Sequence, residues 1–184
     1  MTAGQRNIGI GLYAGDALLA GTDNIAIGQL AFSASTDGAD NIAIGRSALA
    51  VSGNDGDANI AIGTVAMGGG DVSGANNIAI GGTSMDALTT GACNIALGTN
   101  ALGAATTACL NIAIGNAALS GVLACGGGGE AEQNIAIGSN ALDAMTNGFE
   151  NVAIGTNALG ASVSGGNNVA IGRAALGAGD VSGK

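Results

Sequence analysis

The side chains able to do chemistry are few and scattered. Three cysteines stand at Cys93, Cys109 and Cys125, and thirteen acids are set against no His at all. The cysteines form no CxxC pair and have no His to share a metal with, so a zinc site lacks its ligands. Their odd number argues against a closed disulfide framework, and they read as small buried thiols. Several acids, namely Asp37, Asp40, Asp55, Asp57 and Asp71, fall in variable, turn-rich stretches. Carboxylates there keep a surface wet more often than they act as paired acid and base. Ser and Thr have no triad partner. The lone Lys184 is terminal, so the many glycines make no phosphate loop. Asp55-Gly56-Asp57 and Gly68-Gly69-Gly70-Asp71 have the look of acidic turns that hold hard cations. The Gly-Gly-x-Gly-x-Asp unit of calcium-binding rolls is not repeated, however, and solvated turns are the expectation. The reading is a protein with no catalytic centre, no metal and no cofactor.

Composition narrows the class further. Of 184 residues 36 are Gly, about 20% against a usual share near 7%, and Pro and Trp are absent. The apolar fraction is 47%, yet much of it is Ala, so a layered core of large side chains is not expected. Four basic residues, Arg6, Arg46, Arg173 and Lys184, stand against the thirteen acids, for a net charge of −9. They cannot build the basic face that nucleic acid requires. No apolar run approaches bilayer length, so no membrane insertion is expected. The stretch Met1-Thr2-Ala3-Gly4-Gln5-Arg6 lacks the charged-then-apolar order of a secretory signal.

What must position these residues is a repeat. Asn-Ile-Ala-Ile-Gly or a near variant occurs ten times, its Asn at Asn7, Asn24, Asn41, Asn59, Asn77, Asn94, Asn111, Asn134, Asn151 and Asn168. The spacings are 17, 17, 18, 18, 17, 17, 23, 17 and 17 residues. The single long interval reads as a loop inserted within 120–133, because the phase resumes at Asn134. A small residue and then usually Leu follow each pentapeptide, as in Ala48-Leu49, Ala101-Leu102 and Ala158-Leu159, with variants Ala31-Phe32, Ala66-Met67 and Ser84-Met85. The remainder is rich in Gly, Asp, Ser, Thr and Asn, the residues of turns. Residues 1–184 thus read as one repeat domain.

Such a unit cannot bury its apolar side alone, and stacking solves the problem. One coil per unit, each strand pairing in parallel with the next about 4.8 Å away, gives an all-β parallel solenoid of ten coils, a rod about 45–50 Å long. Gly-rich inserts deny the 3.6-residue periodicity of a helix. The Gly closing each pentapeptide is expected to take a corner that needs positive φ or close backbone passage. The Asn column reads either as turn residues bonding their own neighbourhood or as a ladder of amides up the stack.

Alternation then assigns faces. The larger residues are expected inside: Ile25, Ile27, Ile42, Ile44, Ile60, Ile62, Ile78, Ile80, Ile95, Leu97, Ile112, Ile114, Ile135, Ile137, Val152, Ile154, Val169 and Ile171. The small residue between them is expected outside, as a smooth stripe of Ala26, Ala43, Ala61, Ala79, Ala96, Ala113, Ala136, Ala153 and Ala170 that packs against another rod. On that expectation Ile114→Asp breaks the stack and Ala113→Arg splits an oligomer.

From Asn7 to Leu176 the unit N-[IV]-[AG]-[IL]-G-x-x-[AS]-[LMF] resembles the head repeats of YadA-like trimeric autotransporter adhesins, and more closely the similar repeats of phage tail fibres. The resemblance implies a left-handed parallel β-roll, three chains side by side, with the Ile pair as core and the following Gly, such as Gly115, as the turn. The implied function is that of a rigid shaft or head of a virion fibre presenting a host-recognition surface. The implied partners are two further copies, a cell-surface receptor or glycan, and other fibre or baseplate proteins. A bacterial surface adhesin head is the alternative. The units here are longer than those of adhesin heads, and residues 1–184 show no neck, stalk or anchor pattern, so the virion fibre is the expectation. Receptor contacts are expected from the inserts, including Cys109-Leu110 and the stretch from Gly126 to Glu132. Ice binding would want a regular Thr array, which Thr99-Asn100, Asn116-Ala117 and Arg173-Ala174 do not supply.

Overall fold

Each pentapeptide folds as a three-residue strand set between an Asn, buried in all but the first and last coils, and a corner Gly. The computed structural model describes residues 4–51, 56–123 and 131–179. Twelve strands follow in order: β1 (Ile8–Ile10), β2 (Ile25–Ile27), β3 (Ile42–Ile44), β4 (Ile60–Ile62), β5 (Ile78–Ile80), β6 (Ile95–Leu97), β7 (Ile112–Ile114), β8 (Ile135–Ile137), β9 (Asn147–Phe149), β10 (Val152–Ile154), β11 (Ser164–Gly166) and β12 (Val169–Ile171). Ten of them form one sheet in the order β1-β2-β3-β4-β5-β6-β7-β8-β10-β12. Every pairing in it is parallel and matches equivalent residues, as in Ile8↔Ile25 and Ile154↔Ile171. The chain is therefore an all-β parallel solenoid with one coil per repeat, as the spacing predicts. The long interval costs no phase, since β7 meets β8 in the same register, Ile112↔Ile135. Residues 124–130 of the inserted loop, with Cys125, lie outside the described residues.

The two faces of the strands are the reverse of the expectation. Ala26, Ala43, Ala61, Ala79, Ala96, Ala113, Ala136, Ala153 and Ala170 all point inward and are at most 2% exposed within a single chain. They cannot form a stripe between chains. The larger neighbours stand on the outside. Ile25, Ile27, Ile42, Ile44, Ile60, Ile62, Ile78, Ile95, Leu97, Ile112, Ile114, Ile135, Ile137, Val152 and Ile154 are half-buried, and Ile80, Val169 and Ile171 are exposed. None of them is a core residue.

Volume explains the inversion. Opposite each strand, a few residues after the corner, the second short segment turns a large side chain inward: Phe32, Leu49, Met67, Met85, Leu102, Leu119, Leu142 and Leu159, each at most 1% exposed. A small residue precedes it, such as Ala48, Ala101 or Ala118, and is also fully buried. One large side chain and two small ones fill this part of each coil, and several coils bury a second large one as well, such as Leu88, Leu123 and Met145. Two β-branched side chains more per coil would overfill an interior that packs at crystal density. The second segment supplies an internal ladder of Leu and its variants; the internal Ile ladder expected from the strands is absent.

The corner is tight enough to demand Gly. Gly115 has φ 137°, and a Cβ built on it would meet the carbonyl oxygen of Gly138 in the next coil at 2.6 Å. Other turns are made by residues with side chains. In most coils three non-Gly residues adopt the left-handed region, as at Cys93, Asn100 and Leu102, with φ of 60°, 58° and 51°. The Leu ladder itself is thus built from left-handed residues. In the first coil Gly15, φ 59°, occupies the equivalent position.

Candidate interaction surface

The Asn column fixes the coils in register. Each Asn accepts on Oδ1 the backbone N–H of the Asn one coil further on, an unbroken series from Asn24→Asn7 at 2.9 Å to Asn168→Asn151 at 3.1 Å. The Nδ2 donates to a backbone carbonyl, as Asn94 does to Ala108 at 2.6 Å and Asn134 to Gly148 at 2.7 Å. Several also donate to the Oδ1 of the preceding Asn, as Asn94 does to Asn77 at 3.0 Å. The amide-ladder reading of this column is the one realised. Asn41 is the exception: its Nδ2 is buried with no hydrogen-bond partner among the described residues.

Because the Asn and Ala columns lock the interior, the opposite side of the strand is presented outward as two parallel columns of branched side chains. Ten coils contribute twenty Ile, Leu or Val residues. Each inner member is flanked above and below by its neighbours in the column, and all of them but Ile80 are half-buried. Members of the end coils are open, with Ile8 and Ile10 at 50% and 59% and Val169 and Ile171 at 64% and 68%. The strands β1 to β8, β10 and β12 place no charged residue between the two columns. Monomeric proteins rarely leave so long an apolar strip uncovered; their largest patches are about 300–600 Å².

Flanking this face, alternation sets two rims. Before each strand the residue preceding Asn turns outward in the left-handed region, as at Asp23, Asp40 and Glu150, with φ of 60°, 59° and 54°. After each strand the residue following the corner Gly is outward: Gln29, Arg46, Thr99, Thr156 and Arg173 are exposed. Arg6 and Asp23 join the first two coils by a hydrogen bond of 2.6 Å from Nε to Oδ1. The carboxyl of Asp23 is held below the usual range, first by that hydrogen bond, and the Arg6 guanidinium is raised by the same contact.

The remaining chemistry-bearing residues do not converge. Among the described residues no three His, Cys, Asp or Glu gather closely enough to hold a metal. Cys93 is exposed and Cys109 half-buried, both as free thiols, so the reading of Cys93 as a buried thiol is corrected. Cys93 occupies a left-handed rim position that points away from the core. Asp57 accepts the backbone N–H of Ala39 at 2.8 Å, tying one turn to the coil before it. Asp55 lies outside the described residues. Asp86 is pushed above the ordinary carboxyl range, chiefly by burial. Sequence reasoning missed an open cleft of about 440 Å³ lined by Asn140, Asp143, Asn157, Gly160, Ala161 and Gly177. In it Asn140 Nδ2 donates to Asp143 Oδ2 at 2.9 Å. Asn140 and Asn157 hold equivalent positions in successive coils, a coincidence the repeat alignment contains. Among the described residues no helix is long and apolar enough to cross a membrane.

The chain matches no protein-family model, no curated protein and no solved structure. The architecture is that of a parallel β-solenoid repeat, in keeping with the broad class of adhesin and fibre repeat proteins. It is a rigid, repetitive scaffold suited to a structural or adhesive role.

Proposed function

We propose that this chain is a non-enzymatic fibre protein, the rigid shaft or head of a phage tail fibre that presents a host-recognition surface from the virion. Three parallel copies, each wound left-handed as in the adhesin heads it resembles, join along their Ile faces. The observation that carries this reading is the pair of outer apolar columns running the length of an otherwise continuously hydrogen-bonded stack. Covering them by self-association removes from water the one surface that a lone rod cannot bury. The Ala stripe first expected to do this is internal and has no part in it.

The variable turns are left on the outside of such an assembly. The amide and carboxylate groups of Asn140, Asp143 and Asn157 suit the hydroxyls of a cell-surface glycan, which would meet them in the cleft those residues line. Other fibre or baseplate proteins would hold the rod to the virion. The head of a YadA-like bacterial surface adhesin is the second reading, favoured by the same Asn-Ile-Ala-Ile-Gly repeat. Fluorescently labelled protein incubated with bacterial cells and with animal cells tests both. Saturable binding to bacteria that blocks phage adsorption supports the virion fibre. Saturable binding to animal cells supports the adhesin head. Failure to bind either kind of cell overturns the presenting role.

A further inference from the structure

The two rims of the Ile face carry opposite charge at matching heights. Asp40 and Arg46 flank Ile42 and Ile44 in one coil, and both are exposed. Near the other end Arg173 follows Ile171, while Glu150 precedes Val152 one coil below. The column after the strands contains no acid in any coil. The column before them contains Asp23, Asp40 and Glu150, and its one basic residue, Arg6, is already held by Asp23. That pair is the single ion pair among the described residues, and none joins the rims within one chain.

We infer that these rim charges set the direction and register of self-association: Arg46 of one copy meets Asp40 or Asp23 of the next, and Arg173 meets Glu150. This rests on the self-association proposed above. The symmetry is decisive. In parallel copies arranged about an axis along the rod, the leading rim of one chain adjoins the trailing rim of its neighbour. Opposite charges then lie at the same height to within one coil. In antiparallel copies leading rim meets leading rim and acid faces acid, while Arg46 comes opposite another chain's trailing rim, which holds no acid. The apolar columns alone repeat every coil and cannot tell one register from another. Charge complementarity characteristically supplies this kind of selection, by penalising wrong pairings more than by strengthening the right one.

Arg46→Lys supplies an amine at one rim, and a carbodiimide couples it to whichever carboxylate lies against it. Mixing isotopically light and heavy chains separates products between chains from those within one. The expected inter-chain product joins position 46 to Asp40 or Asp23. Coupling mainly to Glu132 or Glu150, or no inter-chain product from a chain that light scattering shows to be oligomeric, overturns the inference. A chain that light scattering shows to be monomeric overturns the self-association reading itself. Charge reversal gives a second readout. Asp40→Lys with Glu150→Lys, or Arg46→Glu with Arg173→Glu, raises the dissociation constant about tenfold or more at low salt, and about 1 M salt erases the difference. All four substitutions together restore parental assembly. Rim-reversed variants that assemble like the parent at low salt overturn the inference.

Discussion

Asn134 gives its backbone N–H to Asn111 Oδ1 at 3.0 Å across 23 residues of sequence, the same bond that elsewhere joins Asn residues 17 or 18 apart. An insertion of variable length is therefore tolerated as long as the next Asn reaches the ladder. The column, more than the turns, holds one coil on the next.

Removing a rung leaves its partners unsatisfied in a dry interior. Asn111→Ala strands the N–H of Asn134 and the carbonyl of Ala131, which Asn111 Nδ2 reaches at 2.9 Å. The expected loss is about 2–4 kcal/mol in a urea melt followed by circular dichroism. Asn41→Ala costs less, because it strands only the N–H of Asn59, held by Asn41 Oδ1 at 2.9 Å, while the Nδ2 removed has no partner among the described residues. Equal losses at the two positions would contradict the ladder as the source of stability.

Strand faces give a paired test. Ala113 is fully buried, so Ala113→Arg forces a long cation into a filled coil and costs about 4 kcal/mol or more, read as loss of the cooperative melt. Ile114 is on the outside, so Ile114→Asp leaves the chain's own fold and its strand signal intact. Its effect is on particle mass, which falls toward that of the single chain. A reversal of these two phenotypes would restore the assignment made from alternation alone.

That assignment shows where the sequence stops being informative. The period, the parallel stack, the corner at residues such as Gly115 and the buried Leu ladder follow from the repeat itself. Which side of the strand faces inward does not, because a pattern of large, small, large is equally periodic either way. Interior volume decides it, and that volume depends on turns made by left-handed Leu102, Met67 and Val65. These are side chains that ordinarily avoid positive φ, so nothing in their type announces the conformation. The short ladder of β9 and β11 was equally hidden, since Asn147-Gly148-Phe149 and Ser164-Gly165-Gly166 read as turn sequences.

Val65 offers a way to relieve that strain. It is β-branched with φ 60°, while equivalent positions in other coils hold Asn100, Asn140 and Asn157. Val65→Asn should stabilise the chain by about 1 kcal/mol, raising the urea midpoint without changing the slope. A lowered midpoint would mean that packing of the Val side chain outweighs the backbone cost.

Asp86 sets a pH dependence. Burial raises its pKa, so the folded chain carries a desolvation penalty at neutral pH. The penalty eases as pH falls through the raised folded value and is gone below the ordinary carboxyl value of about 3.9. Asp86→Asn should therefore raise stability at neutral pH and make no difference below about pH 3. A gain of equal size at both pH values would point to a cause other than charge.

The central claim is a parallel stack whose outer Ile columns are covered by further copies of itself. Light scattering coupled to size exclusion measures it directly. The account predicts a particle of about three times the 17.1 kDa chain mass, reduced toward one chain by Ile114→Asp. A parental chain that remains at 17.1 kDa at micromolar concentration, with its Ile face open to water, would contradict it.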